Sequence, residues 1–310
     1  MVKTFFQLIK FEHTLFALPF AYLGMVMAEK RWPSWRVFFL VTIAMASART
    51  AGMTLNRLID RGIDARNPRT KNRALLTGEF KASWAWILAG LSALILVSSA
   101  WALNPLCFKL SPVALIFLTG YHYAKRFTWV CHWILGAVLA IAPIGGWLAV
   151  TGVVSWQVVP LALAVLFWVA GFDIVYSLQD ADFDKASGLH SAPVRFGVSR
   201  ALQISSGCHL VTLFCLVFFG LISGLGLVYG AGILVTALLL RFEHSLVADG
   251  DLTKLNAAFF IINGWMGILL LIFSFLESSF GNSEKMRMSP TTSNEEGTNL
   301  SSFSDNLFFR

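Results

Sequence analysis

The stretch Asn56-Arg57-Leu58-Ile59-Asp60-Arg61-Gly62-Ile63-Asp64 closes a long apolar run. Asn56, Asp60 and Asp64 recur at i, i+4 and i+8. On a helix, residues so spaced lie on one face, drifting by about 40° per step of four. The spacing predicts an acceptor-rich ridge of two carboxylates and an amide. Tyr176, Asp180 and Asp184 repeat it further along the chain. Four aspartates brought together must either take up protons or be neutralised by a cation. All-oxygen ligands with open positions suit Mg²⁺, which keeps waters and bridges to substrate phosphates. Asn56, Asp60, Asp64, Asp180 and Asp184 are therefore the candidate metal ligands, with the four aspartates at the centre of the chemistry. Arg66, Arg69, Lys71 and Arg73 follow the first ridge, and Lys125 and Arg126 lie in another loop. Metal on one side and Arg or Lys on the other is the arrangement expected for a leaving diphosphate. Arg69, Arg73, Lys125, Arg126 and Tyr176 are the candidate diphosphate contacts.

The elements that must carry these residues belong in a bilayer. The chain has 310 residues, is 56% hydrophobic and only 13% charged. A soluble domain is about a quarter charged. Apolar runs of spanning length fall near 13–28, 37–58, 83–104, 109–124, 130–151, 157–178, 202–226, 227–241 and 256–276. The predicted fold is an all-α integral membrane bundle of nine transmembrane helices around a central cavity. The first run lacks a small-x-small cleavage site before Glu29 and is followed by further spans, which argues against a signal peptide. Residues 1–12 read as an amphipathic lead-in at the interface. Residues 1–276 form the expected membrane domain. The polar stretch 277–310, rich in Ser, Thr, Asn and Glu from Asn282 on, reads as a disordered tail.

With nine spans, 16 of the 24 Lys and Arg fall on the side that holds both ridges, 7 fall on the other, and Arg49 lies within the second span. The positive-inside rule then places the ridges at the cytoplasmic boundary, of a bacterial inner membrane on this reading. The formal charge of +7 is a topology signal, and no nucleic-acid partner is expected. Cys107, Cys131, Cys208 and Cys215 form no CxxC pair, which argues against a zinc site or a disulfide framework.

The two ridges resemble the NxxxDxxxD and YxxxDxxxD forms of the aspartate-rich motifs in the UbiA superfamily of intramembrane prenyltransferases. Tyr123-Ala-Lys-Arg-Phe-Thr-Trp129 and the segment from Gln179 to Ser191 resemble that family too, and the similarity covers about residues 3–276. The resemblance implies that Mg²⁺ on the ridges holds a polyprenyl diphosphate, whose allylic carbon is attacked by an electron-rich aromatic acceptor. Aromatic walls would stabilise the cation, and a lipid-facing opening would admit the prenyl tail from membrane lipid.

Arg49 lies about two turns deeper than Asn56. An arginine at that depth costs several kcal/mol unless paired. It is either the partner of an acceptor carboxylate, as in 4-hydroxybenzoate, or paired with a motif aspartate. Many 4-hydroxybenzoate enzymes of the family carry an Asp-Lys-Pro-type segment before the first span, where this chain has Phe11-Glu12-His13-Thr14. That form is similar to a 4-hydroxybenzoate-like branch linked to futalosine-route menaquinone, which implies 1,4-dihydroxy-6-naphthoate as the alternative acceptor. A haem farnesyltransferase and a chlorophyll-type synthase are further alternatives. A cation-coupled transporter is the non-enzyme alternative, but the carboxylates cluster at one face and no inverted repeat is evident.

Among the remaining polar residues, Asp182 fits neither ridge and reads as a surface residue. Asp173, one turn deeper than Tyr176, must pair with a base or sit near the acceptor. His122, His132 and His209 lack ligand spacing, and His190 follows the second motif closely enough to reach phosphate. Pro143, Gly145 and Gly146 mark a kink or a close helix contact.

Overall fold

The structure is a computed structural model that describes residues 14–247 and 255–288, with side chains described for 17–247 and 262–279. The lead-in with Glu12 and His13, and residues 289–310, lie outside the described residues. The long helices are α1 (Thr14–Glu29), α2 (Trp35–Ile59), α3 (Ala82–Leu103), α4 (Pro105–Ala124), α5 (Cys131–Thr151), α6 (Val159–Ser177), α7 (Val198–Ser223), α8 (Leu227–Val247) and α9 (Leu255–Met288). Each apolar run of the sequence falls on one of them. By length and composition, 7 helices among the described residues are apolar enough to cross a membrane. α1 and α4 are not among those 7. α9 continues past Glu277 to Met288, so helix extends into the stretch that composition assigns to the tail.

Local chemistry sets several helix ends. The Ser34 hydroxyl accepts from Val37 N–H at the start of α2, and Asn104 Oδ1 accepts from Cys107 N–H at the start of α4, with Pro105 in the first turn. Gly152 and Gly224 end α5 and α7 in the left-handed region, at φ 68° and 64°.

Each long helix packs on the next, and α9 returns to α1; α1 also packs closely along α5. α6 is the innermost. Its apolar stretch is 72% buried, against 28% for those of α3 and α8, so α6 is lined by protein while α3 and α8 turn apolar faces outward. Leu91, Leu94 and Ile95 on α3 and Leu234 and Leu238 on α8 are all exposed. So much outward apolar surface fits lipid, and not water, as the solvent. Trp84 and Trp86 near one end of α3 and Trp101 near the other are exposed too, as interfacial aromatics are. Inside, Trp168 of α6 packs 5.0 Å from Phe20 of α1 and 5.1 Å from Phe172. Its indole N–H donates to Asn263 of α9 at 2.8 Å.

The contact between α1 and α5 is backbone on backbone. A Cβ on Gly146 would lie 2.0 Å from Ala21 O, and one on Gly24 would lie 2.2 Å from Pro143 O. Pro143 and Gly146 thus mark close packing, while Gly145 meets nothing. Small residues at such a crossing let helices approach within reach of dispersion contacts.

The expected continuous ridges are not observed. α2 stops at Ile59, Asp60 caps it at φ −93°, ψ 10°, and a separate short helix, Arg61–Asp64, carries Asp64. α6 stops at Ser177, a single 3₁₀ turn ends on Asp180, and the short helix Ala181–Ala186 carries Asp184. Asp180 sits at φ −105°, ψ 1°. Each helix assignment is therefore interrupted at the middle aspartate, which sits in the sparsely allowed bridge region between helix and strand.

Gly146→Ala is expected to destabilise the protein by about 1–3 kcal/mol through overpacking. Gly145→Ala, with open space around it, should have no comparable effect. Thermal unfolding in detergent reads both, and equal behaviour of the two variants would contradict the close-contact argument.

Candidate active site

The first ridge descends from the end of α2 and the second from the end of α6. The loop between α4 and α5 supplies Lys125 and Arg126. The side chains line one pocket of about 300 Å³ with Arg49, Tyr121, His132, Phe172 and Asp173. The pocket takes in Asn56, Asp60, Asp64, Asp180, Asp184, Arg69, Arg73 and Tyr176 as well, so all the candidate metal ligands and diphosphate contacts meet there.

Each motif aspartate has its own cation. Arg126 Nη2 donates to Asp60 Oδ1 at 2.9 Å. Arg73 is paired with Asp64. Arg69 grips Asp180 with two N–H groups, Nε to Oδ1 at 2.9 Å and Nη2 to Oδ2 at 2.5 Å. Lys125 Nζ lies 2.7 Å from Asp184 Oδ2. Asp184 is 1% exposed, and this oxygen has no hydrogen bond of proper geometry. Lys125 is therefore held by charge more than by direction. Three of the four pairs run between loops, stapling the ridges and the basic segments together. Burial pushes the Asp60 carboxyl above the usual range, against the pull of Arg126.

The remaining candidates divide sharply. Tyr176 takes a hydrogen bond from Arg69 at 3.3 Å and lies under its guanidinium. Asn56 donates to Asp60 at 3.0 Å and lies 3.2 Å from His122 Nδ1, leaving its Oδ1 without a hydrogen-bond partner among the described residues. Arg49 forms no ion pair with a motif aspartate, and its buried Nε has no hydrogen-bond partner among the described residues. Arg66, Lys71 and Asp182 are exposed and do not line the pocket. His190 is exposed and touches the site only through its backbone, donating to Lys125 O at 2.8 Å. His209 pairs with His244 at 3.0 Å, away from the pocket.

Sequence reasoning overlooked Arg57, Asn67 and Tyr121. Arg57 is 5% exposed yet lines the pocket. It lies about 100° around the helix from Asn56, so face arithmetic assigned it elsewhere. Buried Asn67 donates to Asp180 Oδ1 at 3.0 Å. An amide amid basic residues was the available signal, because its N–H donors suit a carboxylate.

The donor set is hard oxygen throughout, as Mg²⁺ requires. Among the described residues, however, no three His, Cys, Asp or Glu gather into a ready-made metal cage. Each carboxylate is instead paired with a basic group. The Asp184 carboxylate, met by Lys125 but without a directed hydrogen bond on Oδ2, and the uncommitted Asn56 Oδ1 fit a hard cation, and the four basic partners fit the phosphates that would arrive with it.

A model of the UbiA prenyltransferase family matches residues 17–266. A 4-hydroxybenzoate octaprenyltransferase of Shewanella halifaxensis is 31% identical over 258 residues, covering 83% of this chain and 87% of that protein. Among solved structures, the apo form of a UbiA homolog from Aeropyrum pernix K1 has a TM-score of 0.78 and 32% identity, over 86% of this chain and 98% of its own. A UbiA homolog from Archaeoglobus fulgidus, bound to DMAPP and Mg²⁺, shares the fold at TM-score 0.68 and 22% identity, over 89% of this chain and 99% of its own. With the twin aspartate ridges, the shared pocket and matches along most of its length, this chain belongs to the UbiA prenyltransferase family.

Proposed function

We propose that this protein transfers a polyprenyl group from a polyprenyl diphosphate to an aromatic acid, 4-hydroxybenzoate, in respiratory quinone (ubiquinone) biosynthesis. The observation that carries the reading is the division of charge in the pocket. Four carboxylates and their four cations gather at the ends of α2 and α6. The guanidinium of Arg49, which has no ion pair among the described residues, lies deeper on α2. Asn56, Asp60, Asp64, Asp180 and Asp184 would hold Mg²⁺, and Arg69, Arg73, Lys125, Arg126 and Tyr176 would turn to the diphosphate. Bound there, the metal would neutralise charge on the leaving diphosphate. Arg49 would receive the acceptor carboxylate, since a buried guanidinium without a partner is costly and a planar carboxylate matches its fork. The relative in Shewanella halifaxensis, named for this reaction, supports the choice of acceptor.

On this reading, α1 and α4 also cross the membrane and make nine crossings around a central cavity. The pocket opens to the cytoplasm from a bacterial inner membrane, and the prenyl tail enters from lipid. Residues 1–276 carry the chemistry and 277–310 lie outside it.

Membranes given labelled polyprenyl diphosphate, Mg²⁺ and either 4-hydroxybenzoate or 1,4-dihydroxy-6-naphthoate are expected to prenylate the hydroxybenzoate. Product from the naphthoate alone would move the protein to menaquinone synthesis. Asp60→Ala and Asp180→Ala are each expected to abolish transfer, by about a thousandfold or more, while the protein still inserts. Retained activity in either would remove the proposed metal site. Arg49→Leu should raise KM for the acid at least tenfold and leave KM for the diphosphate unchanged. A change confined to the diphosphate would show that Arg49 serves the other substrate.

A further inference from the structure

Asp173 lies three residues before Tyr176, about one turn deeper along α6, and lines the pocket. Its Oδ2 lies 2.6 Å from Nδ1 of His132 on α5. The other ring nitrogen, Nε2, lies 3.1 Å from the backbone N–H of Ala192. A backbone N–H can only donate, so Nε2 must offer its lone pair. The ring proton therefore sits on Nδ1 and points at Asp173. His132 is 2% exposed, so water does not compete for either bond. Asp173 Oδ1 is left without a hydrogen-bond partner among the described residues. Tyr121 of α4 lies within reach of the charges of both Arg49 and Asp173, and all three line the one pocket.

We infer that Asp173 is the base that receives the hydroxyl proton of the aromatic acceptor, with His132 as the residue that positions it. The inference rests on the proposed function. An acid held by Arg49 at its carboxylate presents its hydroxyl at the opposite end of the ring. Taking that proton raises electron density at the adjacent ring carbon. That carbon bonds to C1 of the prenyl group as the C1–O bond breaks, and the electron pair leaves with the diphosphate. The phenolic proton passes to Asp173 Oδ1, leaving a ring ketone. The ring carbon then loses its own proton to a diphosphate oxygen, and Asp173 returns its proton to the ketone oxygen, which restores the phenol. One proton and one diphosphate leave for each bond formed.

The test compares two acceptors. In 4-aminobenzoate the carboxylate is the same, but the amine feeds the ring from its lone pair without giving up a proton. Asp173→Asn keeps the shape and loses the base. It is expected to lower kcat with 4-hydroxybenzoate by about a hundredfold or more, with KM for the diphosphate unchanged. The loss with 4-aminobenzoate should be under about tenfold, well below the roughly hundredfold at which the loss of a general base begins to show. Equal losses with both acids, or no loss, would overturn the assignment alone. No product from either acid with the wild-type protein would overturn the functional reading and this assignment with it. His132→Ala should lower kcat, and His132→Gln, whose amide N–H reaches toward Asp173, should recover most of it. A Gln variant no better than Ala would overturn the positioning role. On the wild-type protein, 4-methoxybenzoate has no hydroxyl proton to give, so it should compete without being prenylated; its prenylation would overturn the proposal even if Asp173→Asn does not fold.

Discussion

Four carboxylates at the edge of a low-dielectric interior cannot stay charged without partners, and the structure around them follows from that constraint. The loops after α2 and α4 deliver one cation to each aspartate. The pairs that cross between loops do more than neutralise. Arg69 fixes the first basic loop to the second ridge, Arg126 ties the α4–α5 loop to the first, and Lys125 ties it to the second. Breaking one member of a buried pair costs more than the pair contributes, because a bare charge is left behind. The penalty of separation thus helps to hold the loops, beside the burial of Leu75 and Leu189.

The bundle beneath gives this polar layer a firm base. α6 carries Asp173, Tyr176 and the start of the second ridge, and it is also the most enclosed helix. Trp168 anchors it by aromatic contacts and by a hydrogen bond to Asn263, whose amide in turn donates to buried Glu243 at 3.1 Å. On the far side of α5, backbone contact with α1 leaves no slack between these two helices. Interiors packed at this density transmit displacement instead of absorbing it, so the pocket wall formed by α5 and α6 keeps its shape.

Much of this was legible in the residues. Spacing alone matched Asn56, Asp60 and Asp64 with Tyr176, Asp180 and Asp184, and the basic loop beside them pointed to phosphate. The apolar runs located the long helices. Periodicity describes one helix at a time, however, and it was silent where two segments meet. It extended both ridges as continuous helix, whereas the backbone turns at Asp60 and again at Asp180. Neither turn carries a proline to announce it. The assignment of a particular cation to each aspartate, the burial of Arg57 and the bond from Ala192 N–H to His132 depend on loops folding back across the pocket. For Asp173 the sequence left open a basic partner or a place near the acceptor; His132 lies 41 residues earlier, with nothing in the spacing to join them.

The self-neutralised state of the pocket bears on how the protein is made. A site whose acidic walls repelled one another would need its ligands present during synthesis, or would drag water into the membrane until they arrived. Here each motif aspartate meets a counter-charge encoded in the same polypeptide. Insertion and helix assembly can therefore be completed in a cell starved of prenyl donor, and the finished enzyme can wait in the bilayer until its substrates are supplied.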